Sequence, residues 1–465
     1  MNAPDTIVAV ATASGRGAIA VIRVSGPEVA RIAAALLGTL PAPRAARLSR
    51  FLDAAGNSVD EGLALYFPAP ASYTGEDVLE LQGHGGAVIT DLLLQRLLDL
   101  GCRLARPGEF SERAFLNGKI DIAQAEAVAD LIDAGTAAAA RAAVRSMQGE
   151  FSARVNDVRA HITDLRVYVE AAIDFPDEEI DFLSAPALDE RLARVFAAFA
   201  SITSAARQGA LLREGLNVVI AGYPNAGKSS LMNRLVGEEV AIVTDLPGTT
   251  RDVLRRHLHL DGLPVNLIDT AGLRTAADVV EAEGVRRARG EIARADRVLY
   301  IVDAQRLDAP MANTTIANPA MPNTAIDWAA EFELLPKDVP ITLVFNKIDL
   351  TGRPARLEAD VVPPRVYLSA RTGAGVDLLR SHLKESVGYR GGESGALSAR
   401  RRHLDALSRA EHHVHSAAAV LKSTRAVELF AEDLRLAQRA LGEITGELTS
   451  EDLLEEIFGS FCIGK

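Results

Sequence analysis

Gly222-Tyr223-Pro224-Asn225-Ala226-Gly227-Lys228-Ser229 is the stretch whose residue types and spacing point most directly to chemistry. It has the form G-x-x-x-x-G-K-S, follows the apolar run Asn217 to Ala221 and leads into the helix-like Ser230 to Leu235. In a strand–loop–helix setting, such glycines let backbone N–H groups turn toward phosphate oxygens, and the helix start adds positive potential. Lys228 is placed to meet the β- and γ-phosphates of a nucleoside triphosphate, and the Ser229 hydroxyl to ligate Mg²⁺. The candidate phosphate set is Asn225, Ala226, Gly227, Lys228, Ser229 and Ser230.

Asp269-Thr270-Ala271-Gly272 ends the strand-like run Val265 to Ile268, which an Asp261-Gly262 hairpin turn joins to Leu254 to Leu260. In register after a phosphate loop, Asp269 would hold Mg²⁺ through water and the Gly272 N–H would touch the γ-phosphate. The base is read by Asn346-Lys347-Ile348-Asp349, after the strand Ile341 to Phe345, together with Ser369-Ala370-Arg371. The Asp349 carboxylate accepts from the N1–H and exocyclic amine of guanine, donors that adenine lacks at that edge. A site built on those bonds leaves polar groups unpaired when ATP enters, so the four ordered elements predict GTP as substrate. Thr249-Thr250-Arg251-Asp252 lies where a GTPase keeps its first switch, with Thr250 the candidate that closes on Mg²⁺ and the γ-phosphate. The turn-rich run Ala241 to Thr250, with Thr244, Asp245, Leu246, Pro247, Gly248 and Thr249, is expected to order around the nucleotide.

Small signalling GTPases place a water-orienting glutamine after the Asp-x-x-Gly element, whereas this chain has Leu273 there. Either catalysis is poor or other groups supply the base and the charge. Glu281, in the acidic run Asp278 to Glu283, reads equally as a water-orienting base and as a solvated helix-start carboxylate. Asn225 offers a side-chain carbonyl near the β/γ bridge, where a monovalent cation would replace an arginine finger, and it also suits an ordinary turn.

These groups need a scaffold. At 465 residues, with 48% hydrophobic and 24% charged residues, the chain has the composition of a globular protein of several domains. Its net charge of -12 argues against a broad basic surface that holds nucleic acid unaided. Cys102 and Cys462 are the only cysteines and fall in unlike contexts, which speaks against a disulfide framework. With no apolar run near the roughly 20 residues of a membrane span, the expected location is the cytoplasm.

Residues 1–119 mix short strand-like runs (Thr6 to Val10, Ala18 to Val24, Gly62 to Phe67) with turns, an α+β texture. Residues 120–214 are helical in pattern, residues 215–380 alternate strands and amphipathic segments as a parallel α/β sheet does, and helical texture returns over residues 381–465. The α/β unit is thus expected to be inserted into a discontinuous helical domain. Within it, residues 305–328 read as a surface loop without chemistry.

The chain closely resembles the tRNA-modification GTPases of the MnmE/TrmE family over its whole length. The resemblance rests on Asp5-Thr6-Ile7-Val8-Ala9, Gly15-Arg16-Gly17, Arg23-Val24-Ser25-Gly26 and Tyr73-Thr74-Gly75-Glu76-Asp77, and on Glu80 to Gly86. It continues in Arg106-Pro107-Gly108-Glu109-Phe110, in Phe115 to Lys119, in the phosphate loop, and in the terminal Phe461-Cys462-Ile463-Gly464-Lys465. It implies an N-terminal folate-binding-like α+β domain, a helical domain, and an inserted Ras-like G domain that acts in adding a carboxymethylaminomethyl-type group at C5 of wobble uridine. It also implies potassium on Asn225, Thr244, Leu246 and Thr249, with hydrolysis stimulated through G-domain dimerisation. Glu281 takes the catalytic place, although Glu283 is a departure that adds a second acid.

For the N-terminal domain the resemblance implies homodimerisation and a formyl- or methylene-tetrahydrofolate held by Arg23, Glu80, Lys119 and Lys465. Cations suit the glutamate carboxylates of such a ligand, and a carboxylate suits the donors of its ring. The implied partners are tRNA and the flavoprotein MnmG/GidA. Cys462 is either a catalytic thiolate favoured by Lys465 or a spare thiol, and Arg400-Arg401-Arg402-His403 either touches tRNA or starts a solvated helix. A regulatory or ribosome-assembly GTPase, the alternative function, accounts for the central domain and leaves the C-terminal motif unexplained.

Overall fold

The computed structural model describes residues 5–13, 15–174, 186–237, 255–269, 295–308, 339–389, 391, 395–424, 426–447, 451–461 and 464. They form two compact units, one of residues 1–132, 144–202 and 402–465, the other of residues 133–143 and 203–401. The chain is multidomain, α+β and α/β, with both helical segments discontinuous in sequence around the inserted sheet.

The first unit is built on a six-stranded sheet ordered β3-β4-β5-β2-β1-β6. Its strands are β1 (Ile7–Val10), β2 (Ile19–Ser25), β3 (Arg47–Leu52), β4 (Ser58–Phe67), β5 (Val78–His84) and β6 (Arg103–Leu104). Alternation decides the two faces. Val8, Ile22, Val24, Leu79 and Leu81 point to a core closed by α1 (Val29–Leu37) and α2 (Ala87–Asp99). Ile7 and Ala9 face the other way, toward Phe110 of α3 (Glu109–Leu116) and Tyr73.

The helices of this unit are α4 (Ile122–Ile132), part of α5 (Ala137–Met147), α6 (Glu150–Asp174), most of α7 (Pro186–Glu214), α10 (Arg401–Thr424), α11 (Val427–Thr445) and α12 (Glu451–Gly459). In α7 the residues Leu192, Val195, Phe199, Ile202 and Ala206 are buried, at alternating spacings of three and four that put them on one face. Among the described helices α7 alone is long and apolar enough by composition to cross a membrane, but half of its most apolar stretch lies inside the fold. That stripe is a core contact, and the composition follows from it. α10 begins with a buried charge cluster: Arg402 donates to both oxygens of Glu126 at 2.8 and 2.7 Å, and His403 Nε2 lies 2.9 Å from the same carboxylate. So His403 is a core residue and Arg402, partly buried, is committed to an internal carboxylate, neither being part of a freely solvated helix start, whereas Arg401 of that run is 81% exposed.

The second unit carries a seven-stranded sheet ordered β12-β13-β11-β10-β7-β9-β8. β7 (Leu216–Gly222), β9 (Leu263–Asp269), β10 (Arg297–Asp303), β11 (Ile341–Asn346) and β13 (Arg365–Tyr367) are parallel, and β8 (Arg255–Leu260) and β12 (Arg356–Glu358) add antiparallel edges. Val218 and Ile220 fill a core with Leu299, Ile301, Leu231 and, from α9 (Val376–Ser386), Leu379 and Leu383, while Val219 and Ala221 fill another with Val298, Tyr300 and Val302. Both faces are therefore apolar, which is why these strands read as continuous hydrophobic runs. The β8–β9 hairpin turns on Asp261 and Gly262, both at positive φ (51° and 90°), the backbone that an Asp-Gly pair favours.

Candidate functional site

The phosphate loop leaves β7 at Gly222 and runs into α8 (Lys228–Gly237), whose Leu231, Met232 and Leu235 anchor it on the sheet. Gly222 has φ 133°, and a Cβ there would strike the Ile301 carbonyl of β10. Gly227 has φ 94°, and a Cβ there would collide with the Asn346 amide. Neither position admits a side chain without moving a strand or a loop. Asn225 is exposed at φ 62°, and Ser229 and Ser230 are exposed in the first turn of α8, while Ala226 is buried. Lys228 Nζ donates to the carbonyls of Gly222 and Tyr223 at 2.9 and 2.8 Å, arching over the loop.

Asn346 joins the loop to the base-reading elements. Its Nδ2 donates to the Ala226 carbonyl at 2.9 Å, and its Oδ1 accepts from the N–H groups of Lys347 (2.8 Å) and Ala370 (2.9 Å). The residue is 2% exposed. A single buried amide thus locks three segments that lie far apart in sequence. Ser369 is fully buried and donates through Oγ to Asp349 Oδ1 at 2.6 Å, which orients an exposed carboxylate. Lys347 adopts φ 68° and makes an ion pair of 2.7 Å with Asp303. Arg371 is exposed beside this group.

The structure therefore brings together Asn225 to Ser230, Asn346, Lys347, Asp349, Ser369, Ala370 and Arg371 at the C-terminal ends of the parallel strands, where open α/β sheets take ligands. Asp269 ends β9, next to β7. Thr244, Asp245, Leu246, Pro247, Gly248, Thr249, Thr250, Thr270, Ala271, Gly272, Leu273, Glu281 and Glu283 lie outside the described residues. Two contacts escaped the sequence reading. Asp303 gave no signal beyond ending an apolar strand, and Gln305 to Asp308, expected to start a featureless loop, form a 3-10 turn that sets Arg306 over the Tyr223 ring at 4.3 Å.

In the first unit, Arg23 and Glu80 face each other across β2 and β5 and bond at 2.9 Å, with side chains 21% and 17% exposed. The Arg23 guanidinium also lies 5.5 Å from the Tyr73 ring and 5.7 Å from that of Phe110. This pair is a half-buried element of the sheet face, with more contacts than a surface ion pair has. Lys119 donates to the Pro70 carbonyl at 2.9 Å, and its alkyl chain lies against Gly75.

The segment between them is fixed by charge. Arg113 bonds Asp5, Glu76 and Glu109, and Arg103 bonds Asp5 and Glu109. Burial pushes the Glu109 carboxyl up, but its hydrogen bonds to Arg103 and the Arg106 N–H bring it below the usual carboxylate range. The motif residues Glu76 and Glu109, together with Arg113, thus hold the loop that carries Tyr73.

A cavity of about 840 Å³ opens beside β1, lined by Val8 to Ala13, Gly15, Gly17, Gly85, Thr90 and other small or apolar residues. Arg23, Glu80 and Lys119 are not in its wall, although Ala9 in that wall is paired with Arg23. Gly464, at φ 95°, packs on Val10 and Ala11, which line the same cavity. Cys462 and Lys465 lie outside the described residues. Burial raises the Cys102 thiol to about 11, so it is an inert core residue.

Comparison with known proteins gives consistent matches. The family model described as the MnmE helical domain matches residues 122–462, and that described as the GTP-binding protein TrmE N-terminus matches residues 6–119. Proteins called tRNA modification GTPase MnmE are 56% identical in Sodalis glossinidius and 54% identical in Proteus mirabilis, each over 466 aligned positions and 100% of both chains. Among solved structures, the G domain of the T. maritima FeoB iron transporter is 24% identical, covering 37% of this chain and 98% of that one, with a TM-score of 0.25.

Proposed function

The chain belongs to the MnmE/TrmE family of tRNA modification GTPases, and on that premise we propose that it hydrolyses GTP to GDP and phosphate in the modification of tRNA at wobble uridine. One observation carries the reading at the site. Asn346 fastens the phosphate loop to both segments that read the base, so that phosphate and guanine contacts form one unit. Lys228 then neutralises the phosphates, Asp349 accepts from the guanine edge, and Ser369 holds that carboxylate in place.

Two cations fit the donors present. The exposed hydroxyl of Ser229, together with Thr250, would give Mg²⁺ the hard oxygen ligands it takes, and the ion would supply positive charge to the β- and γ-phosphates. Asn225, exposed and left-handed, has a side-chain carbonyl that would serve potassium, with Thr244, Leu246 and Thr249 as the further candidate ligands. With Leu273 in the usual glutamine position, Glu281 orients the attacking water. Potassium, with turnover stimulated through paired G domains, would supply the charge that an arginine finger gives other GTPases.

In the first unit, a formyl- or methylene-tetrahydrofolate would engage Arg23, Glu80, Lys119 and Lys465. In the half-buried pair beside Tyr73, Glu80 would accept from the ring donors and Arg23 would meet a carboxylate of the ligand, and the neighbouring cavity falls within the roughly 300–1,000 Å³ of small-molecule sites. Cys462 would act on the one-carbon unit, in a homodimer working with the flavoprotein MnmG.

The reading is tested by phosphate release from GTP in potassium chloride and in sodium chloride. Turnover is expected to be much faster in potassium, and equal rates would remove the cation role of Asn225. Calorimetry with formyl-tetrahydrofolate, with Arg23→Ala as control, tests the folate site: heat that is lost in the variant supports it, and no heat with the unaltered chain removes it.

A further inference from the structure

Asp303 ends β10, a strand whose residues Val298 to Val302 are wholly buried, so its position is set by the core. Its Oδ1 accepts from the Gln305 N–H at 3.0 Å, and its Oδ2 meets Lys347 Nζ at 2.7 Å. The backbone end of Lys347 is fixed as well, at φ 68° with its N–H on Asn346. Both ends of this lysine are therefore held, and its alkyl chain is stretched between the Asn346 turn and β10. The pair is partly shielded, with side chains 19% and 31% exposed. Three residues after Asp303, the guanidinium of Arg306 lies over Tyr223, the second residue of the phosphate loop, whose ring meets buried Tyr300 edge-on at 6.3 Å. One four-residue segment, Asp303 to Arg306, thus touches the base-reading loop at one end and the phosphate loop at the other.

We propose that Asp303 is a positioning residue of the nucleotide site: it holds the Lys347 side chain extended as a preset platform for the guanine ring, while Arg306 on the same turn braces Tyr223. The inference rests on the reading that Asn346 to Asp349 receive guanine. An unpaired lysine chain samples many rotamers, and binding a base on it must then order them. Removing the carboxylate's charge therefore weakens nucleotide binding by freeing the Lys347 chain.

The test is titration of the full chain with a fluorescent GDP, using D303N, D303E, K347A and the double variant D303N/K347A. D303N is expected to bind roughly five- to tenfold more weakly, as loss of one ordered long side chain implies. D303E, which keeps the charge, recovers most of that loss, and D303N adds nothing in the K347A background. Thermal unfolding without nucleotide checks the fold; should D303N be unstable, the comparison of D303E with K347A carries the test. Unchanged affinity in D303N, or the same loss in the K347A background, would overturn the proposal. Failure of the unaltered chain to bind GDP would instead remove the guanine reading, and the proposal with it.

Discussion

Replacing Asn346 by alanine probes the site at the point where its parts meet. The substitution strips three hydrogen bonds at once, of 2.8 to 2.9 Å, from a residue 2% exposed. Two of the partners, the Ala226 carbonyl and the Ala370 N–H, belong to residues only 2% and 6% exposed. Each buried group left unpaired costs about 1–3 kcal/mol. Without these bonds the loops relax in the free protein and the nucleotide must reorder them, so a cost near 3 kcal/mol drawn from binding corresponds to roughly a 150-fold loss, at about 1.4 kcal/mol per decade. Asn346→Asp separates the contributions, since it keeps an acceptor for the two N–H groups and turns a carboxylate oxygen on the Ala226 carbonyl. Affinity for GDP by fluorescence titration is expected to fall about 150-fold in Asn346→Ala, with a smaller but clear loss in Asn346→Asp. An alanine variant that binds within about threefold of the parent, a shift below 1 kcal/mol, would refute the inference that this amide holds the site together.

Glu126→Gln leaves Arg402 and His403 without their charge partner in a buried cluster, and should lower stability by about 3–5 kcal/mol, read by urea unfolding. The carboxyls of Glu109 and Glu126 are both held below their ordinary values, burial opposing and their arginine or histidine partners prevailing. Such groups stabilise the fold fully above the unfolded carboxylate range, about 4.3, and the contribution is lost as pH falls through their lowered values. The melting temperature should therefore decline below about pH 4, and a midpoint unmoved between pH 6 and pH 3 would contradict the pairing. With its thiol at about 11, Cys102 should resist alkylation at neutral pH in the folded chain and react after denaturation, as peptide mass mapping would show.

Much of this architecture is legible from sequence, for different reasons in different places. β7 and β10 are apolar on both faces because the sheet is covered on both, so their runs stand out. The turn at Asp261-Gly262 is local chemistry, written in two residues. The phosphate loop is equally local, a strand, a loop and a helix in immediate succession.

What stays hidden depends on distance along the chain. Asn346 reaches Ala226 over 120 positions, and Asp303 reaches Lys347 over 44, and no spacing rule encodes either contact. Arg402 and His403 look like a solvated basic run because their partner, Glu126, lies 276 positions from Arg402. The same holds for Arg113, whose three acidic partners come from the N-terminal segment, a loop and its own helix.

A GTP-hydrolysing domain here serves tRNA chemistry, and nucleoside analysis of tRNA tests that union most directly. In tRNA from cells lacking this protein, wobble uridines should lose the carboxymethylaminomethyl-type group at C5, while other modified nucleosides keep their levels. An unchanged wobble uridine profile would contradict the account, even if GTP hydrolysis by the isolated chain were fast.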